Sequence, residues 1–313
     1  MDAFLTSRPI GDLLSGIVGG TVIGLVALSL VLIWRATHIL NFAQGAMAMF
    51  ATYIGMTRLQ HRLTVNVIGI HFTVHFNYWW CVAISILAGL AIGGITERVL
   101  VRPLYGKPEI NPIVVMVGYL ALLEALAGAI WGTIPITIQT PFSFIDWQLG
   151  GKTVLLSPND VYRVVATLVV AIVIALLFRF TNLGLQLRAS AVAPEVSRLL
   201  GVRVGRMLTI GWILASGVGA VAAVILTSSS FQQPLQPPVM EAPFAIAFIA
   251  AAIGGLESPT GALVAGIAFG VMEQFVTDYL NSNYVLLIAL GALILVLMIR
   301  PQGLFSKRVV RRV

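Results

Sequence analysis

Apolar residues run along this chain in long, nearly charge-free stretches, separated by short clusters that hold most of its charges. Roughly 20 apolar residues in a helix are needed to cross a hydrocarbon core, and several stretches meet that length. Residues 13–34 lie between Asp12 and Arg35, residues 36–57 between Arg35 and Arg58, and residues 78–96 end at Glu97. Residues 112–134 carry one acid, Glu124, and residues 161–178 have Arg163 near one end and stop at Arg179. Residues 207–229 follow Arg206, and residues 284–299 end at Arg300, which makes seven predicted spans.

Residues 242–277 break this pattern. Their apolar pieces, 243–253 and 262–272, are split by Gly254-Gly-Leu-Glu-Ser-Pro-Thr-Gly261, and each piece is short for a crossing. Either two half-length helices join inside the membrane, where the freed backbone groups must face protein or water, or two ordinary crossings meet in a cytoplasmic turn. Between other spans, residues 134–140 and 147–156 partly alternate apolar and polar positions, with Gly150-Gly151 as a two-residue turn, and predict a short extracellular β-hairpin. Residues 63–76 alternate in the same way around Gly69, and Tyr78, Trp79 and Trp80 mark re-entry at the membrane interface. The pattern therefore predicts one all-α polytopic membrane domain over residues 1–313, with about eight transmembrane segments including one broken or re-entrant helix pair.

Composition agrees: 58% of the 313 residues are hydrophobic and 10% charged, against about 25% charged in soluble domains. A soluble globular fold is excluded. The net charge of +7 reads as topology. Fourteen of the nineteen cations fall on one side: Arg35, Arg98, Arg102, Lys107, Arg179, Arg188, Arg198, Arg203, Arg206, Arg300, Lys307, Arg308, Arg311 and Arg312. Arg8, Arg58, Arg62, Lys152 and Arg163 fall on the other, so the N-terminus is predicted outside and the C-terminus in the cytoplasm. No nucleic-acid partner is needed to explain the charge. The single cysteine, Cys81, can form no internal disulfide, and the N-terminus lacks the basic region and cleavage site of a removable signal peptide.

No phosphate-binding G-x-x-x-x-G-K-[ST] loop occurs, since Gly106-Lys107 is followed by Pro108. H-E-x-x-H and G-x-S-x-G are also missing, so no enzymatic role is expected. His71 and His75 have a spacing that suits a shared metal on a helix, but the surrounding alternation predicts a strand.

The loop 184–206 reads as a docking element. Pro194 suits a first helical turn, Glu195 complements the helix dipole, and Gly201 is a natural stop. Val196, Leu199 and Leu200 share one face, with Arg188, Arg198 and Arg203 around them. Such a helix either docks a protein or lies on anionic lipid, and docking is preferred. The loop resembles the coupling segment of ABC importer permeases in its branched-chain amino acid form, where Arg188-Ala189 precedes a helix ending Leu199-Leu200-Gly201. Asn41-Phe-Ala-Gln-Gly45 is similar to the N-F-A-[HQ]-G signature of that family, and Arg102-Pro-Leu-Tyr-Gly-Lys-Pro108 to its R-P-L-R-G segment. Gly254-Gly-Leu-Glu-Ser-Pro-Thr-Gly-Ala262 resembles its G-G-x-x-S-x-x-G-A, and Arg300-Pro-Gln-Gly-Leu-Phe305 its R-P-x-G-L-F.

This resemblance implies a permease of a bacterial or archaeal cytoplasmic membrane. It implies pairing with a second, related permease subunit and with two cytoplasmic ATPase subunits that hold ATP and Mg, this chain carrying no cofactor. An extracytoplasmic binding protein would deliver the substrate, a branched-chain amino acid, with urea or short amides as the alternative within the family. A secondary transporter working without an ATPase would leave the docking loop unexplained. The family often has an acid after N-F-A-x-G, where this chain has Ala46, so any role of that carboxylate in the pathway is absent or supplied elsewhere.

Asn41, Gln44 and Gly45 are expected either to line the translocation path or to stitch helices together by hydrogen bonds. Glu257 and Glu273 are further pathway candidates, against a turn residue for Glu257 and a cap or ion pair for Glu273. Glu124 needs an interhelical partner or a wet cavity, and the small residues of 215–220 let another helix approach closely.

Overall fold

The computed structural model describes residues 8–60, 63–67, 70–74, 77–108, 110–138, 142, 148–149, 152–153, 157–228 and 234–305. Helices dominate them: α1 (Arg8–Thr37), α2 (Gln44–Gln60), α3 (Tyr78–Thr96), α4 (Ile110–Trp131), α5 (Pro158–Phe180), α6 (Asn182–Val192), α7 (Pro194–Leu199), α8 (Val204–Thr227), α9 (Glu241–Gly254), α10 (Pro259–Tyr279) and α11 (Val285–Ile299). Among the described residues seven helical segments are long and apolar enough to cross a membrane: Pro9–Thr37, Tyr78–Leu104, Ile110–Trp131, Pro158–Phe180, Val204–Thr227, Pro259–Tyr279 and Ser282–Ile299. The chain is an all-α, multi-pass membrane protein.

Local chemistry sets several helix ends. Ser157 and Asp160 form a reciprocal capping box ahead of α5, with Pro158 at its first turn. Ser258 caps α10 by accepting from Gly261 N at 3.0 Å. Three predicted boundaries move. Arg35 does not separate two spans: α1 runs on to Thr37, and the Arg35 guanidinium lies 5.7 Å from the Phe178 ring centroid. The stretch predicted as a second span is a 17-residue helix that starts at Gln44 rather than residue 36 and is not among the seven segments long and apolar enough to cross. Glu97 does not stop α3, which continues as a π-turn (Glu97–Val101) and a 3-10 turn (Arg102–Leu104).

The broken element is asymmetric. Its first arm, α9, has 14 residues, about 21 Å at 1.5 Å per residue and shorter than a hydrocarbon core. Its second arm, α10, has 21 residues and is long enough to span. Short apolar length misjudged this arm, because Glu273, Gln274, Thr277 and Asp278 are helical too. The turn between the arms lies at the end of the bundle that carries Arg300: Leu304 N donates to Ile253 O at 2.8 Å and Phe305 N to Gly254 O at 3.2 Å.

The buried centre is α1, whose residues from Val22 to Ile33 are almost wholly enclosed. It meets α10 through glycines: Gly16, Gly20 and Gly24 face Gly270, Ile267, Gly266 and Leu263 at backbone contact. Gly89 and Gly93 of α3 admit Ser216, Ala220 and the Trp212 carbonyl of α8 in the same way. With no hydrophobic gain for helices meeting in lipid, this close approach is what holds them. Helices α4, α5 and α11 lie outside and expose large apolar side chains such as Val114, Ile130, Val169, Ile172, Ile294 and Met298.

Two antiparallel strand pairs are present, Leu63–Val67 with Ile70–Val74 and Gln148–Leu149 with Lys152–Thr153. His71 lies in the first pair. Trp147, Gly150, Gly151, Gly69, His75 and the basic tail 307–312 lie outside the described residues. Ile136 does not pair within its own loop but bridges to Leu235, with N–H to O distances of 2.9 and 2.8 Å.

Candidate coupling surface and membrane cavities

The segment between α5 and α8 holds one more helix than its sequence suggested. Thr181 accepts from Gly184 N at 3.0 Å and starts α6, which carries Arg188 and Ala189. After Ala193, Pro194 opens α7 with Glu195 in its first turn. Gly201, at φ +82°, ends it, and Val202 N closes back on Ser197 O at 2.9 Å. Ser197 faces the bundle, whereas Val196, Leu199 and Leu200 point away, the last two 88% and 78% exposed. Exposed leucines on α4 or α11 sit on spanning helices. Those on α7 sit on a six-residue helix beside arginines, where no hydrocarbon is needed to cover them.

Helix α8, the next element after α7, is tied to α3 by a cluster that sequence reading placed merely among loop charges. Glu97 is 0% exposed. Arg102 donates Nη2 to Glu97 Oε2 at 3.1 Å and Nε to Oε1 at 3.3 Å. Thr209 Oγ1 of α8 donates to Glu97 Oε2 at 2.7 Å, and Arg102 Nη2 also reaches Gly205 O at 3.1 Å. Tyr105 donates its hydroxyl to Glu97 Oε1 at 3.4 Å, and burial, reinforced by that carboxylate, pushes its phenol up and keeps it a donor. The five-residue spacing of Glu97 and Arg102 fits a π-turn, a feature that tends to occur at functional sites. The only sequence signal was an acid directly abutting an apolar span.

The pathway candidates separate. Asn41 and Gln44 are buried, and Gln44 joins α2 to α8: Asn41 Nδ2 donates to Gln44 Oε1 at 3.0 Å, Ala43 N to Asn41 Oδ1 at 3.0 Å, and Gln44 Nε2 to Ala215 O of α8 at 3.1 Å. Gly45 lets Met240, just before α9, and Phe244 of α9 approach. Glu257, in the α9–α10 turn, lines a cavity of about 400 Å³ at the Arg300 end, shared with Arg35, Arg188, Trp34, Phe178 and Leu187. Glu273 lines one of about 330 Å³ toward the opposite end, with Arg163, Gln274, Thr277 and Gly19. Glu124 lies within electrostatic reach of Glu241 at the start of α9.

The family described as branched-chain amino acid transport system / permease component matches residues 13–298. The chain belongs to that family. The permease is 27% identical over 304 residues to the high-affinity branched-chain amino acid transport system permease protein BraD of Pseudomonas aeruginosa, covering 96% of this chain and 97% of that one. It is 23% identical over 309 residues to LivH of Salmonella typhimurium and 22% identical over 309 residues to LivH of Escherichia coli, both named high-affinity branched-chain amino acid transport system permease proteins, with the same coverage. No solved structure matches the chain. In the permease the motif segments lie at joints between elements: residues 41–45 meet α8 and α9, Arg102 meets α8, and residues 254–262 meet the segment 300–305. Ala46, the departure from the family pattern, is buried in the core.

Proposed function

We propose that this permease is the membrane-spanning part of an ATP-driven importer for branched-chain amino acids. The observation that carries the reading is α7, a short helix whose Leu199 and Leu200 are exposed beside Arg198, on the segment leading into α8. Two cytoplasmic ATPase subunits, holding ATP and Mg, dock there; this chain hydrolyses nothing itself. A second, related permease subunit covers part of the apolar outer helices and lipid the remainder, while an extracytoplasmic binding protein delivers substrate at the opposite end. The cations near α7, with Arg35, Arg102, Arg188 and Arg300 at the same end of the bundle, support a cytoplasmic C-terminus and an outward N-terminus in a bacterial or archaeal cytoplasmic membrane.

Motion of the docked ATPases shifts α7, which is joined through Gly201–Arg203 to α8 and through Ala193 to α6. Because Thr209 of α8 is bonded to Glu97 and Arg102, displacement of α8 carries the end of α3 with it, so the bundle opens alternately to either side. Changing Leu199 and Leu200 together to Asp is expected to abolish both co-purification with the ATPase subunits and ATP-dependent leucine uptake, while the permease stays monodisperse. Survival of both activities refutes the coupling role. Radiolabelled uptake by the reconstituted complex, comparing leucine, alanine and urea, is expected to favour leucine.

A further inference from the structure

The cavity at the α7 end brings together three charged side chains from three separate elements: Arg35 in the last turn of α1, Arg188 of α6 and Glu257 in the α9–α10 turn. Among the described residues no ion pair within 4.0 Å joins either arginine to Glu257. Arg188 Nε donates to Gly184 O of its own helix at 3.3 Å, and Arg35 sits over the Phe178 ring. Both Arg188 and Glu257 nevertheless act electrostatically on Arg35. Two guanidinium groups repel each other across the cavity, and a single carboxylate leaves it with a net charge of +1. An additional anionic group between the arginines relieves this repulsion, and forked guanidinium donors suit a carboxylate. Apart from His38, the remaining walls are apolar, with Leu32, Trp34, Phe178 and Leu187 the largest side chains. The volume, about 400 Å³, lies in the usual range for small-molecule sites.

We infer that this cavity is a release site for a zwitterionic α-amino acid, its carboxylate held by Arg35 and Arg188, its ammonium by Glu257 and its aliphatic side chain by the Trp34–Phe178 wall. The inference rests on the proposed import function and deepens it by naming what recognises the substrate headgroup. Urea offers neither charge, so the site separates amino acids from neutral amides. Arg188 and Val192 line the cavity from α6, and Ala193 alone separates α6 from α7. Movement of the docking helix therefore moves the arginine that holds the carboxylate, which lets the same stroke open the pathway and loosen the ligand.

The test uses the assembled transporter in proteoliposomes and lipid nanodiscs, with leucine, 4-methylpentanoate (no ammonium) and leucinamide (no carboxylate) as probes. Binding to nanodiscs without the binding protein is expected to favour leucine over both analogues by roughly tenfold or more, the loss of one charged contact. Glu257→Gln is expected to remove the preference over 4-methylpentanoate only. Arg35→Gln, or Arg188→Gln if the former does not assemble, is expected to remove the preference over leucinamide only. A diazirine analogue of leucine is expected to crosslink to Trp34, Phe178 or Val192. Equal binding of the three probes, equal loss for all three in the Glu257→Gln form, or crosslinks confined to other helices overturns the assignment. If wild-type proteoliposomes take up leucine while any of these results holds, the cavity assignment alone falls; absence of leucine uptake sinks the import reading with it.

Discussion

Adjacent glycines in α1 offer a controlled test of what holds the bundle together. A Cβ at position 20 would lie 2.6 Å from Ile267 O and 2.7 Å from Ile267 Cα, both backbone atoms that cannot swing aside, whereas a Cβ at position 19 meets no atom within 4 Å. Gly→Ala carries the same intrinsic helix gain at both sites, at most about 1 kcal/mol, so that contribution cancels between Gly19→Ala and Gly20→Ala. Ordinary contact begins near 3.4 Å, so α1 and α10 must separate by roughly 0.8 Å to admit the methyl group. A gap of that size forfeits about a quarter to a half of each dispersion well along the seam, including the Gly16 and Gly24 contacts. Overpacking of this kind costs about 1–3 kcal/mol. Gly20→Ala is therefore expected to be less stable than Gly19→Ala by about 2 kcal/mol. Thermal unfolding of the purified variants, followed by loss of the monodisperse peak on fluorescence-detected gel filtration, should place Gly19→Ala at or above the wild type and Gly20→Ala several degrees below. Equal midpoints, or the reverse order, refute the claim that backbone contact at Gly20 sets the α1–α10 seam.

Two other expectations rest on specific hydrogen bonds. Glu97→Gln keeps the side chain's shape but removes the buried charge that Arg102 and Thr209 address; because Arg102 is 40% exposed and water can take up part of the loss, the cost is about 1–3 kcal/mol. A double-mutant cycle with Thr209→Val in the same unfolding assay should show coupling of at least about 0.5 kcal/mol, and strict additivity denies the link between α3 and α8. Ser258→Ala, which deletes the α10 cap, is expected to cost about 1 kcal/mol and Ser258→Gly only a few tenths; matching losses for the two in the unfolding assay would show that the Gly261 N bond does not cap the helix.

Much of the molecule was legible in the order of its residues. Hydropathy reports transfer free energy locally and a glycine stop depends on its own backbone, and so the outer spans and the stop at Gly201 could be read without neighbours. The exposed face of α7 was legible for the same reason, since Val196, Leu199 and Leu200 fall together at helical spacing. The candidate site was less so. Glu97 read as a loop charge because its burial depends on Thr209, 112 residues away, and no local pattern announces that partner. Asn41 and Gln44 were ambiguous between path and packing, and only the position of the Ala215 carbonyl gives Gln44 its bond.

The sequence by itself determined that this chain lies in a membrane, where most of its apolar segments run and which short helix carries an exposed apolar face. These features reflect the cost of placing each side chain in lipid or water, a property of the residue and its immediate neighbours. Tertiary structure alone decided which helices touch: α1 with α10 at Gly20 and Ile267, α3 with α8 at Gly93 and Trp212, and Arg35 with Arg188 and Glu257 around one cavity. Lipid is as apolar as a neighbouring helix, so hydrophobicity cannot choose partners there. Backbone approach and polar contacts make that choice, and both depend on residues far apart in the chain.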